Sequence, residues 1–125
     1  MTTAAAFSPA VYSPLPPETS GARRAAQFAR DGVFESETWQ RLNHEPRLER
    51  YAAGEIVVPF YLMSGDHDEL GIALHTAALF ERLRMHQPDH VELRIVDGGH
   101  DWTVWRAALP DALRFLCRFV TWESP

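Results

Sequence analysis

No lysine occurs in the 125 residues, and all twelve basic side chains other than histidine are arginines. Schiff-base chemistry, which needs an ε-amine, is therefore excluded, and so is phosphate binding by a P-loop lysine. A single cysteine, Cys117, rules out an intrachain disulfide and a metal site built on a cysteine pair. Cys117 sits in an apolar helical pattern and reads as a buried, inert thiol. No apolar run approaches the roughly 20 residues that span a bilayer. The N-terminus is broken early by Pro9 and Pro14 and lacks a basic stretch followed by a continuous apolar one. A cleaved signal peptide is not expected, and the cytoplasm is the expected compartment. A basic patch is missing as well: net charge is −5 and the arginines are scattered, which argues against a nucleic-acid partner.

What remains is the composition of a soluble globular protein, with 46% apolar and 23% charged residues. The length suits one small domain. Residues 4–8 are small and apolar and predict a short buried strand. Residues 9–21 hold Pro9, Pro14, Pro16 and Pro17 and read as an irregular surface segment. Weakly periodic stretches at 22–30 and 35–42 predict short helices, and Pro46 is placed to open a helical turn through Tyr51.

The second half is more regular. Ile56 to Met63 is a continuous β-branched and aromatic run, expected of a strand buried on both faces of a parallel sheet, and it ends in Ser64-Gly65-Asp66. Leu70 to His86 has apolar residues at 72, 73, 79, 80 and 83 and charges at 81, 82 and 84, which predicts a helix stopped near Pro88. Val91 to Val96 alternates apolar with polar as far as Asp97-Gly98-Gly99, a second strand. Leu109 to Val120 predicts a last helix with Leu109, Ala112, Leu113, Leu116 and Val120 on its buried stripe. The alternation of strands with helices predicts an α/β fold of about three parallel strands with flanking helices.

Ligands of open α/β sheets bind beyond the carboxyl ends of the strands. Two polar clusters fall there, Gly65-Asp66-His67-Asp68-Glu69 and Gly98-Gly99-His100-Asp101-Trp102. If the strands are parallel, an acid of the first loop and His100 of the second become neighbours. A carboxylate beside an imidazole is the base half of nucleophilic catalysis: the acid fixes the tautomer and the histidine carries the proton. The competing reading leaves Asp66, Asp68 or Glu69 capping the next helix. His67, Asp68, His75 and His100 are metal-ligand types, yet their spacing fits no common zinc pattern, so neither a metal nor another cofactor is expected. His44, His86 and His90 are expected to be solvated. Trp102 and Trp105, three apart, share a helical face and are expected to pack beneath the histidine loop in preference to meeting substrate.

Gly98-Gly99-His100-Asp101-Trp102-x-x-Trp105-Arg106-x-x-Leu109 resembles the histidine motif of the esterase family that includes enterochelin esterases and S-formylglutathione hydrolase. Phe60-Tyr61-Leu62-Met63-Ser64-Gly65-x-x-Asp68 is similar to its acid-bearing strand and loop. Ser8-Pro9-Ala10-Val11-Tyr12 resembles the strand exit after its nucleophile helix. The resemblance implies a partial α/β-hydrolase fold, with residues 1–125 as the C-terminal part of an esterase domain. It implies a triad in the order serine, acid, histidine, with His100 as base and Asp68 as acid, Asp66 being the fallback. The chain departs from the family in having no Gly-x-Ser-x-Gly: Ser8, Ser13, Ser20, Ser36, Ser64 and Ser124 all lack the flanking glycines. Without a nucleophile the acid and histidine have nothing to activate. The expectation is an esterase-type chain that is inactive alone, its substrate a small-molecule ester, its partner a missing N-terminal half or a second copy. The alternative is a non-catalytic binding or interaction module.

Overall fold

The structure is a computed structural model that describes residues 4–7, 29–30, 33–34, 37, 41, 45–69 and 71–120. In chain order its elements are β1 (Ala4–Phe7), β2 (Ala29–Arg30), β3 (Val33–Phe34), α1 (Glu45–Ala53), β4 (Phe60–Gly65), α2 (Ile72–His86), a 3-10 turn (Pro88–His90), β5 (Val91–Val96) and α3 (Trp102–Cys117). The chain divides into two compact units, residues 1–10 with 56–125, and residues 11–55.

The larger unit is built on a parallel sheet in the order β1-β4-β5. Its register runs from Phe60 opposite Val91 to Gly65 opposite Val96, so β4 and β5 end level with each other. That alignment sends the loops after both strands out of one rim of the sheet. β4 is buried along its length, as a central parallel strand covered on both faces should be. Tyr61 and Met63 pack against Ala108, Ala112 and Phe115 of α3, and Val96, Val104, Trp105, Leu116 and Phe119 close around them. The intervening Leu62 and Ser64 are equally buried, and α2 packs against the same strand through an apolar side that includes Ile72 and Leu83. Each fully buried apolar side chain of this size contributes roughly 1.5–3 kcal/mol. These elements are α/β in class, with the three parallel strands and flanking helices that the alternation predicts.

Several local expectations are corrected. The strand read from Ile56 begins instead at Phe60, because Pro59 has no N–H to donate to a ladder. The residues before it are satisfied from elsewhere: the Val58 carbonyl accepts from Gln87 Nε2 at 2.6 Å, and the Ile56 carbonyl is 2.8 Å from His86 Nε2. Thus His86 is engaged and not merely solvated, and His90 stacks on Phe119 with ring centres 5.0 Å apart. The last helix starts at Trp102, seven residues earlier than its pattern predicts, because the Asp101 carboxylate caps it by accepting from the Thr103 and Val104 N–H groups at 2.8 and 3.2 Å. Pro110 lies inside this helix. Of the expected stripe, Ala112 and Leu116 pack on the core, together with Val104, Ala108, Phe115 and Phe119, whereas Leu109, Leu113 and Val120 are exposed. Cys117 is off that stripe and is exposed as well.

In the smaller unit, Glu45–Ala53 is helical through the turn expected after Pro46. Ala29 and Arg30, expected at the end of a helix, instead pair antiparallel with Phe34 and Val33. Glu37 and Arg41, within the helix expected at 35–42, are helical. The rest of 22–30, the proline-rich segment 9–21 and His44 lie outside the described residues.

Candidate functional site

The ladder between β4 and β5 continues past both strand ends. The Asp66 N–H donates to the Val96 carbonyl at 2.8 Å, and the His67 N–H donates to the Gly98 carbonyl at 2.9 Å. Asp66 adds a side-chain bond, its Oδ1 accepting from the Gly98 N–H at 3.1 Å. Glycine is required where the loops meet. A Cβ on Gly65 would lie 2.2 Å from the Gly98 carbonyl oxygen and 2.7 Å from that of Gly99. Gly98 has φ +144°, a conformation that residues with a Cβ rarely adopt, and a Cβ there would lie 2.4 Å from Cγ2 of Val104.

The pinned loops bring Asp68 to His100. The Asp68 backbone is held in a turn, its carbonyl accepting from the Gly71 N–H at 2.9 Å. Its side chain is 0% exposed, and Oδ2 lies 2.7 Å from Nδ1 of His100, whose side chain is 33% exposed. Burying a carboxylate is costly unless it is paired, and this contact supplies a partner. A carboxylate can only accept, so an ionised Asp68 takes this hydrogen bond from an Nδ1–H of His100 and leaves the lone pair of the neutral ring on Nε2. Trp105 fixes the ring from another side, with an edge-to-face contact at 4.9 Å and 88°. The arrangement can hold an imidazole in one tautomer and accept a proton at Nε2.

Asp66, the fallback acid, points elsewhere. Its Oδ1 is 2.6 Å from Nδ1 of His67, and Asp97 Oδ1 is 3.3 Å from the same nitrogen. The Gly98 N–H, and then His67, hold the Asp66 carboxyl below its ordinary value of 3.8. The hydrogen bond to Asp66, and then the charges of Asp66 and Asp97, hold the His67 imidazole above its ordinary 6.5. Among the described residues, Asp66, His67 and Asp97 form a grouping of metal-ligand types with donor atoms within 4.8 Å of one another. All three are exposed, and the two carboxylates favour the protonated form of His67, which has to lose its proton before it can ligate. The set His67, Asp68, His75 and His100 does not come together as a metal site.

Trp102 and Trp105 do share a side of α3, but only Trp105 joins the packing beneath His100. Trp102 is 76% exposed, which corrects the expectation of core packing for both. Two roles escaped the pattern: Asp66 as the tie between loops, and Gln87 as a buried bridge between segments. The capping role of Asp101 had a readable signal, an aspartate directly ahead of an apolar helical run. The bridge made by Gln87 had none. No helix among the described residues is long and apolar enough to cross a membrane.

Comparison with known proteins brings no match: no family model, no curated protein sequence and no solved structure is similar to the chain.

Proposed function

We propose that this chain carries the acid–base half of a serine-type carboxylic ester hydrolase with a partial α/β-hydrolase fold. The observation that carries the reading is the 2.7 Å contact between the buried Asp68 carboxylate and His100, at the level ends of two adjacent parallel strands. The likeness of the two strand-end motifs to esterase motifs supports it.

In this reading His100 Nε2 removes the proton from a serine hydroxyl as that oxygen attacks the ester carbonyl. The same nitrogen returns the proton to the departing alkoxide, leaving an acyl-serine. Water, deprotonated by His100 in turn, releases the carboxylic acid and regenerates the serine. Asp68 orients the ring and stabilises the imidazolium of each step without itself taking the proton. The serine and the oxyanion donors are not supplied by any motif in these 125 residues, so a further stretch of polypeptide has to provide them.

The test compares p-nitrophenyl ester hydrolysis by the chain alone and by the chain joined to the polypeptide encoded directly upstream of Met1. The expected result is negligible turnover alone and robust turnover when joined, lost on His100→Ala. An upstream sequence without Gly-x-Ser-x-Gly, or activity indifferent to His100, would overturn the proposal.

A further inference from the structure

Beside the Asp68–His100 pair, α3 lines a cavity of about 500 Å³ with Trp102, Thr103, Trp105, Arg106 and Leu109. A volume of that size accommodates a small organic ligand. We propose that this groove is the acyl subsite of the site described above, and that it takes a flat aromatic acyl group bearing an anionic substituent.

Three observations carry the inference. The first is shape. The indoles of Trp102 and Trp105 meet edge-to-face at 5.6 Å and 71°, forming a corner with one aromatic face and one aromatic edge. A flat ring can stack on the face and meet the edge at once, the two geometries aromatic pairs prefer. An aliphatic chain gains only the burial. Trp102 and Leu109 are 76% and 45% exposed, so their side of the groove is open to a ligand without repacking the core.

The second is charge. Among the described residues that line the groove, Arg106 is the cation. Arg84, Arg94, Arg114 and Arg118 all pair with carboxylates, whereas Arg106 has no ion pair or hydrogen bond among the described residues. A guanidinium beside an apolar wall selects a planar anion, a carboxylate above all, because its fork of N–H donors matches two oxygens.

The third is continuity. Trp105 lines the groove and also holds the His100 ring, 4.9 Å away. A ligand resting on that indole lies one ring from the imidazole. Naming the ligand as an acyl group rests on the hydrolase reading, whereas occupancy of the groove does not.

The 125-residue chain is titrated with 2-naphthoate, with its neutral counterpart 2-naphthamide, and with octanoate, and the indole N–H resonances of the tryptophans are followed by NMR. The expected result is a saturable shift of the Trp102 and Trp105 signals by 2-naphthoate. Binding of the neutral amide should be roughly tenfold weaker, the scale of one charge-assisted hydrogen bond. Arg106→Gln should erase the difference between acid and amide, and Trp102→Ala should weaken both. Both substitutions are at exposed positions. Unmoved indole signals overturn the proposal, as does equal binding of acid and amide, or octanoate binding as well as naphthoate. If naphthoate binds but the joined enzyme hydrolyses esters without need of His100, the hydrolase reading falls and the groove stands as a binding site. If hydrolysis requires His100 while the indoles ignore naphthoate, the groove proposal alone falls.

Discussion

Asp68 Oδ2 and His100 Nδ1 lie 2.7 Å apart although 32 residues separate them in the chain. The distance follows from register: Gly65 opposite Val96 makes the two loops start level, and Asp68 then lies three residues past one strand end while His100 lies four past the other. Asp68→Asn tests the pair directly. An amide can present either oxygen or N–H to the ring, so it no longer dictates which nitrogen is protonated. Long-range proton–nitrogen NMR of the 125-residue chain is expected to show His100 protonated at Nδ1 in the parent and a changed tautomer population in the variant. Identical ring-nitrogen signals in both would dissolve the pairing. In the joined enzyme the same substitution should lower kcat by about 10⁴-fold, the scale seen when a triad acid becomes an amide.

Gly65 is the position where the site is least tolerant of a side chain. Its imagined Cβ meets backbone atoms, the carbonyls of Gly98 and Gly99, which have no rotamer to change. Gly65→Ala is expected to destabilise the fold by about 1–3 kcal/mol, the range for overpacking, measured as a lower urea midpoint. The NMR signature of the Asp68–His100 contact should weaken with it. Gly98→Ala separates two causes. Its Cβ meets the Val104 side chain, which can be shortened, while its φ of +144° cannot be relieved. Adding Val104→Ala should therefore restore only part of the stability lost in Gly98→Ala. Full restoration would mean that φ carries no penalty.

The Asp66–His67–Asp97 cluster gives the loops a pH window. Asp66 is held below its ordinary value, so its contribution to stability is complete above about pH 4, where the unfolded carboxyl is also ionised, and is lost as pH falls through the lowered folded value. His67 is held above its ordinary value, so its contribution is complete below about pH 6.5 and is lost as pH rises through the raised folded value. Both ties are at full strength between those limits. Because both groups are exposed, salt should weaken the effect. The Gly98 amide resonance reports it, moving at the acid end with Asp66 and at the alkaline end with His67. Asp66→Asn should abolish the acid-side movement, and persistence of that movement would assign it to another carboxylate.

These results separate what periodicity can carry from what it cannot. β5 was readable because Val91–Val96 alternates, and α2 because its apolar spacing is uninterrupted up to His86. The convergence of Asp68 and His100 on one rim was readable too, since it needs only parallel strands with polar loops after each. The start of β4 was obscured by Ile56, Val57 and Val58, which look like strand, although the Ile56 and Val58 carbonyls meet the side chains of His86 and Gln87 at a distant helix end. The buried stripe of α3 was misread because a proline inside the pattern hid the turns before it. Side-chain pairings across the fold, such as Asp66 to the Gly98 amide, depend on loop geometry that leaves no mark on the pattern of residue types.

Two buried polar side chains differ in that one has hydrogen-bond partners and the other has none among the described residues. Gln87 Nε2 donates to the Val58 carbonyl at 2.6 Å and to the His90 carbonyl at 3.0 Å, joining the segment before β4 to the turn before β5. Gln87→Ala would leave both carbonyls without this donor and is expected to cost about 1–3 kcal/mol in urea unfolding. The Ser64 hydroxyl is fully buried in β4 and has no hydrogen-bond partner among the described residues. Removing an unsatisfied polar group takes away a desolvation cost and leaves a void of only one oxygen atom. Ser64→Ala should therefore be neutral or stabilise the chain by up to about 1 kcal/mol, with no change in the Asp68–His100 signature. A loss of stability as large as that of Gln87→Ala would mean that the hydroxyl is engaged in solution.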